Sequence, residues 1–234
     1  MAKLDHPGLS QENWRPLLLA AGMSAVLVCV IIPLQIAAFT IWKLPDSIIG
    51  WFTLYRSSWL LGLIHQDLLY VVNNVLVALM YLGFYVLLKN RNGSLMLIAI
   101  LLGFLGIAAY LGSNKSFEMM QLSRLYFDAG TEAQRTVALA AGQAMLSGWQ
   151  GTAFDIYYIL NGIALILIAY VMLKSDVFTK FTAVIGLVSG ILMMIPSTAG
   201  MIGLIFSLLS LIPWYVFSII AAKQFFRFGR KSKP

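Results

Sequence analysis

The sequence has one cysteine, Cys29, and two histidines, His6 and His65. A single thiol excludes an intrachain disulfide. Three scattered ligands of this kind are too few for a zinc or haem centre, so no metal and no cofactor is expected. Charge is scarce as well: Lys, Arg, Asp and Glu make up 11% of the 234 residues, against about a quarter in soluble domains. No long segment alternates apolar and polar residues with a period of two, which excludes a membrane β-barrel. A P-loop, a dinucleotide fingerprint, a G-x-S-x-G elbow and an H-E-x-x-H pair are all missing, so no familiar reaction is written into the chain.

What is present is apolar. Hydrophobic residues are 60% of the chain and the mean hydropathy is +0.86. A soluble fold has no interior large enough for this surface, so the expected solvent is lipid and the expected fold is an all-α integral membrane protein. Six spans are predicted, at 17–41, 64–88, 94–112, 153–173, 180–197 and 202–222. The first run exceeds a signal-peptide core and has no small-residue cleavage site, so it reads as a retained span. The segment ahead of it, with Asp5, Glu12 and Trp14, reads as interfacial. Pro33 and Pro213 fall inside spans and are expected to kink them. With the N-terminus inside, eleven of the sixteen Lys and Arg lie on the inner face, which places both termini in the cytoplasm of a cell whose plasma membrane holds the protein. The net charge of +7 then reflects that bias and an anionic lipid partner for the basic tail, 223–234, rather than nucleic acid.

Two outer loops are more than turns. Residues 46–60 combine Trp51, Phe52, Tyr55 and Trp59 with Asp46 and Arg56, and read as an amphipathic helix lying at headgroup level. Residues 114–150 are expected to hold two more helices, the second opened by a capping box from Thr131 to Gln134. Residues 131–149 are too short in their apolar part for a seventh span. Together these helices are expected to cover the outer ends of the spans.

An offset of 88 positions aligns "DLLYVVNNVLV" (67–77) with "DIYYILNGIAL" (155–165). Asp67 meets Asp155, Tyr70 meets Tyr158 and Asn73 meets Asn161. The flanking outer helices, basic inner turns and glycine-containing spans also correspond, so two parallel repeats are inferred, 46–112 and 131–197, separated by an outer-loop helix at 113–130. On a helix Asp67, Tyr70 and Asn74 fall within about 60° of one another, and Asn73 widens the stripe to about 120°. Asp155, Tyr158 and Asn161 form the matching stripe. Polar groups in a span face the bundle interior. Bland roles stand beside functional ones: the aspartates as helix-end carboxylates, the asparagines as interhelical clasps. Glu118 and Arg124 are placed to reach over the pocket from the outer helix. His65 lies about 160° from Asp67 and shares no face with it.

The leading expectation is a protein that binds or transports a small molecule or lipid headgroup in an outward-facing polar pocket between the repeats. Its residues are Asp67, Tyr70, Asn73, Asn74, Asp155, Tyr158, Asn161, Arg124 and Glu118. One alternative is an intramembrane lipid hydrolase or transferase using the paired carboxylates; another is a structural subunit docking a protein partner or forming an oligomer. The stretches "LLGLIHQDLLYVVNN", "SFEMMQLSRLYFDAGTEAQR", "LAAGQAMLSGWQGTAFDIYYIL" and "VMLKSDVFTKFTAVIGLVSGIL" resemble segments shared by a family of bacterial and archaeal multi-spanning membrane proteins known only as a domain of unknown function. The resemblance extends over about 17–222. It implies an integral membrane fold and carries no activity, substrate or site residue.

Overall fold

The computed structural model describes residues 14–149 and 151–230; Asp5, Glu12 and the last four residues of the basic tail lie outside it. The described residues form helices and no strands: α1 (Arg15–Ile41), α2 (Ile48–Ser57), α3 (Trp59–His65), α4 (Leu68–Ser113), α5 (Ser116–Phe127), α6 (Glu132–Trp149), α7 (Thr152–Leu173), α8 (Lys180–Met193) and α9 (Gly200–Arg230). Four helical stretches are long and apolar enough to cross a membrane, Arg15–Ile41, Leu68–Phe127, Glu132–Leu173 and Gly200–Arg230.

Helix α1 shows how an almost uniformly apolar segment chooses its inner face. Leu18, Ala21, Ala25, Val28 and Ile32 recur at steps of three and four and are buried, while Met23, Val26, Leu27, Val30 and Leu34 are exposed. Exposed apolar residues on this scale are a lipid-facing surface. Among such helices lipid removes most of the hydrophobic gain of burial, so close packing and polar contacts carry association. Rings of Phe178, Phe217 and Phe225 surround Phe84 with centroids 5.9, 5.4 and 4.9 Å away.

Helix α4 is a hairpin. Asn92 leaves helical geometry (φ −158°, ψ 89°) and its side-chain oxygen accepts from the Leu95 amide at 3.0 Å, which caps the returning leg. The legs, 68–91 and 93–113, meet closely: Gly103 lies against the Tyr81 ring, where a Cβ would collide. Helix α7 packs on α4, and α8 and α9 complete the bundle. Helix α8 has 14 residues, about 21 Å of helix, and stops at Met193, short of the predicted 180–197. Helix α9 runs on to Arg230, so 223–230 continues the last helix.

Helices α2, α3, α5 and α6 build a cap on the end of the bundle where α1 finishes and α7 begins. The capping box forms: the Gln134 amide donates to Thr131 Oγ1 at 3.3 Å, and the Thr131 amide to Gln134 Oε1 at 3.2 Å. The surface-lying helix expected at 46–60 is corrected. It breaks at Ser58 into α2 and α3, and Trp51, Phe52 and Tyr55 are only 4%, 0% and 4% exposed. They pack with Leu63, Met119, Ala138 and Trp149 into a second core inside the cap. Aromatics suited to a headgroup layer are equally suited to a protein interior, and here the interior takes them.

Candidate functional site

The site begins with the break between α3 and α4. Asp67 has φ +68° and is the one non-glycine residue with positive φ among the described residues. A left-handed residue costs about 1–2 kcal/mol, least for Asn and Asp, and persists where its surroundings over-determine it. Gln66 supplies that constraint. Its side-chain oxygen accepts from the Tyr55 hydroxyl at 2.5 Å, and its carbonyl accepts from Asn114 Nδ2 at 2.7 Å and Ser116 Oγ at 2.8 Å. The cap thus holds the turn from both α2 and the start of α5.

The turn redirects the Asp67 carboxylate. Although Asp67 sits at the N-cap position, its side chain caps no α4 amide, which corrects the helix-end role open to it from sequence. Instead Oδ2 accepts from the Trp149 indole at 2.7 Å and Oδ1 from Gln35 Nε2 at 3.2 Å. Neither donor is charged, and none of the ion pairs among the described residues involves Asp67. Asp67 stands in the turn ahead of the membrane-length helix. There burial pushes its carboxyl up to about 6, against the opposing pull of the Trp149 indole and the Tyr110 hydroxyl. The Tyr110 hydroxyl also lies beside the carboxylate, and with about four acceptor positions the group keeps capacity beyond these three uncharged donors.

That carboxylate lines a cavity of about 330 Å³ between α1, α4, α7, α8 and α9. Of the residues expected from sequence, Asp67, Tyr70, Asn73, Tyr158 and Asn161 line it. Asn73 is 3% exposed and its side-chain oxygen has no hydrogen-bond partner. Tyr81 donates to Asn161 Oδ1 at 2.7 Å, and Asn161 Nδ2 to the Tyr157 carbonyl at 2.9 Å.

Four expected residues are elsewhere. Asn74 is fully buried behind the lining, with Nδ2 donating to the Tyr70 carbonyl at 2.9 Å. Asp155 accepts from the Thr198 hydroxyl and does not line the cavity. Glu118 pairs with Lys115 at 4.0 Å, and Arg124 is exposed on α5. The α4 and α7 stripes do approach each other: the Tyr70 hydroxyl meets that of Tyr157 at 3.2 Å, and the Tyr158 hydroxyl is also beside it.

Sequence reasoning missed Gln35, Trp149, Tyr157 and Tyr81. Gln35 carried a signal, since it is the lone amide in the apolar run of α1. Trp149 and Tyr81 carried none, because each is one aromatic among many. Among the described residues, no Lys, Arg, His or Cys lines the cavity. Its chemistry is one carboxylate, uncharged hydrogen-bonding groups, aromatic rings and, from the cap-end halves of α1 and α9, apolar side chains such as Ile36, Leu204 and Leu208.

Membrane-length apolar helices around a mostly apolar cavity with a few polar groups define an all-helical membrane protein. The chain belongs to the family described as Domain of unknown function (DUF4386), whose model matches residues 53–223. That match begins inside α2, so it leaves out α1 with Gln35, and it takes in the rest of the cap, the Asp67 turn and α9 as far as Lys223. No curated protein and no solved structure shows a significant match.

Proposed function

We propose that this protein binds or transports a small amphiphile or lipid headgroup whose cationic or hydroxyl-bearing end sits against Asp67. In this reading the chain crosses the plasma membrane six times with both termini cytoplasmic, and the cavity faces outward between the two repeats. The observation that carries it is Asp67 itself, a carboxylate in a mostly apolar cavity with uncharged donors from Gln35, Trp149 and Tyr110 and no cation among the described residues. A buried anion without a counter-charge is costly, and a ligand cation or hydroxyl supplies what the fold leaves out. The Tyr70, Tyr158 and Phe154 rings suit an ammonium group, which aromatic faces attract by about 0.5–2 kcal/mol. Asn73 offers an oxygen already stripped of water.

The shape supports an amphiphile over a fully polar solute. Toward the end opposite the cap, α1 and α9 pack tightly, with Gly22 against Phe226 and Gly229 against Leu19. Toward the cap both helices turn apolar side chains to the cavity, which gives an acyl or alkyl chain a lining beside lipid. The two-carboxylate hydrolase is the weaker reading, because Asp155 is absent from the lining.

The test is a thermal-shift comparison in detergent with three single-chain amphiphiles of equal tail, bearing trimethylammonium, hydroxyl or sulfate heads. The cationic or hydroxylated compound is expected to stabilise the wild type and not Asp67→Asn. Equal stabilisation of both proteins, or preference for the sulfate, would refute the assignment.

A further inference from the structure

We infer that the end of the bundle opposite the cap carries a second, separate site, a cleft that binds a phosphate group. The cleft has a volume of about 540 Å³ and lies between the α4 turn, the α7–α8 turn and the last part of α9. Four cations from these three places line it: Arg91, Lys174, Lys180 and Arg227. One carboxylate, Asp176, is among them. None of the five takes part in an ion pair among the described residues.

A general excess of basic residues at one membrane face explains why cations are at this end. It does not explain their convergence on a concave surface. The contrast with their neighbours is informative. Lys89 lies 4.6 Å from the centre of the Trp14 ring, and Arg230 lies 5.1 Å from that of Phe226, so both rest on aromatic faces. Arg91, Lys180 and Arg227 have no such ring contact among the described residues. Lys174, like Lys89, is engaged by a ring, bonded to the Tyr170 hydroxyl and 4.2 Å from the centre of that ring, so the three cations without a ring partner carry the recognition.

Backbone adds to side chains here. Thr179 caps α8, its hydroxyl accepting from the Thr182 amide at 3.2 Å, and Thr179 and Lys180 both line the cleft. The first turn of α8 therefore presents amide donors and the positive end of the helix dipole to the same space. The Ser175 hydroxyl, at the rim of that turn, is shut off from solvent without a partner and is a further donor. Two guanidinium groups with planar forks, the Lys180 ammonium and a helix N-terminus suit a phosphate's several oxygens. The source is either the headgroup of an anionic phospholipid or a free phosphate-bearing solute, and the chemistry of recognition is shared.

The experiment uses the full chain in two arms. In the first, inorganic phosphate is titrated into detergent-solubilised protein and binding is read by calorimetry. In the second, thermal stability is compared in nanodiscs of phosphatidylcholine with and without phosphatidylglycerol. The wild type is expected to bind in at least one arm. Arg91→Gln with Arg227→Gln should weaken binding at least about tenfold, since each charge-assisted hydrogen bond lost is worth that much or more. Lys89→Gln, outside the cleft, should leave it unchanged. Asp176→Asn should tighten binding, a gain that a damaged fold does not produce. A response to phosphatidylglycerol alone identifies the lipid as the source; a response to phosphate alone identifies a solute; a response to both assigns recognition to the phosphate group. No response in either arm, or equal binding by the wild type and the double arginine variant, overturns the site. None of these outcomes bears on Asp67 and the cavity at the other end.

Discussion

Replacing Asp67 by Asn separates a functional carboxylate from a structural one. Asn tolerates the left-handed backbone and keeps a carbonyl oxygen for the Trp149 indole, so the turn is preserved while the charge is removed. The size of the effect follows from the carboxyl's displacement from 3.8 to about 6. At about 1.36 kcal/mol per pH unit, this is about 3 kcal/mol against the charged form at neutral pH, before any allowance for the water that reaches the cavity. The sign follows from linkage. Between about pH 4 and 6 the folded state holds more protons on this group than the unfolded state, so stability falls as pH rises through that window and is level above it. Asn removes this slope. Melting temperatures of the two ligand-free proteins in detergent, measured from pH 4 to 8, should therefore diverge. Asp67→Asn should equal or exceed the wild type by several degrees at pH 7, and the gap should close toward pH 4. Stability gained where binding is lost is the pattern expected of a strained functional residue. A variant markedly less stable than the wild type at neutral pH would show that the carboxylate is a clasp between Trp149 and Gln35, and the reasoning would fail.

Three further outcomes are expected. Asn73→Leu should cost little stability or raise it, because it removes a buried oxygen without a partner, yet should abolish the amphiphile-induced thermal shift. Gln66→Ala should lower the melting temperature by a few degrees, an effect of about 1–2 kcal/mol, since it removes the Tyr55 hydroxyl's acceptor while the Gln66 carbonyl keeps its bonds to Asn114 and Ser116; circular dichroism melts measure it. Gly103→Leu should reduce the yield of folded protein on size-exclusion chromatography, because a side chain there drives Tyr81 from its place in the α4 hairpin and overpacking costs about 1–3 kcal/mol.

The parts of the fold legible in the sequence were those set by local pattern. Run length marks α1, α7 and α9, the charged turn at 89–93 falls where Asn92 folds α4 back on itself, and Thr131 with Gln134 announces the start of α6. The site was partly legible for the same reason: Asp67, Tyr70 and Asn73 are polar in an apolar context, and a polar group in such a helix turns inward. What stayed hidden depends on contacts between distant residues. The direction of the Asp67 carboxylate is decided by a left-handed turn that Tyr55, Asn114 and Ser116 hold through Gln66. Asp155 stands in the first turn of α7 and accepts from Thr198, a partner distant in sequence, so it falls outside the cavity while its stripe mates Tyr158 and Asn161 line it. The cap's aromatics gave no hint of their burial, because a headgroup layer and a protein core draw on the same side chains.

The most direct test of the proposed ligand site is native mass spectrometry of the purified wild type beside Asp67→Asn and Asp155→Asn. A bound amphiphile with a cationic or hydroxylated head is expected on the wild type and on Asp155→Asn, and should be missing from Asp67→Asn. The same bound mass on all three proteins, or an anionic molecule in the Asp67 cavity, would contradict the assignment.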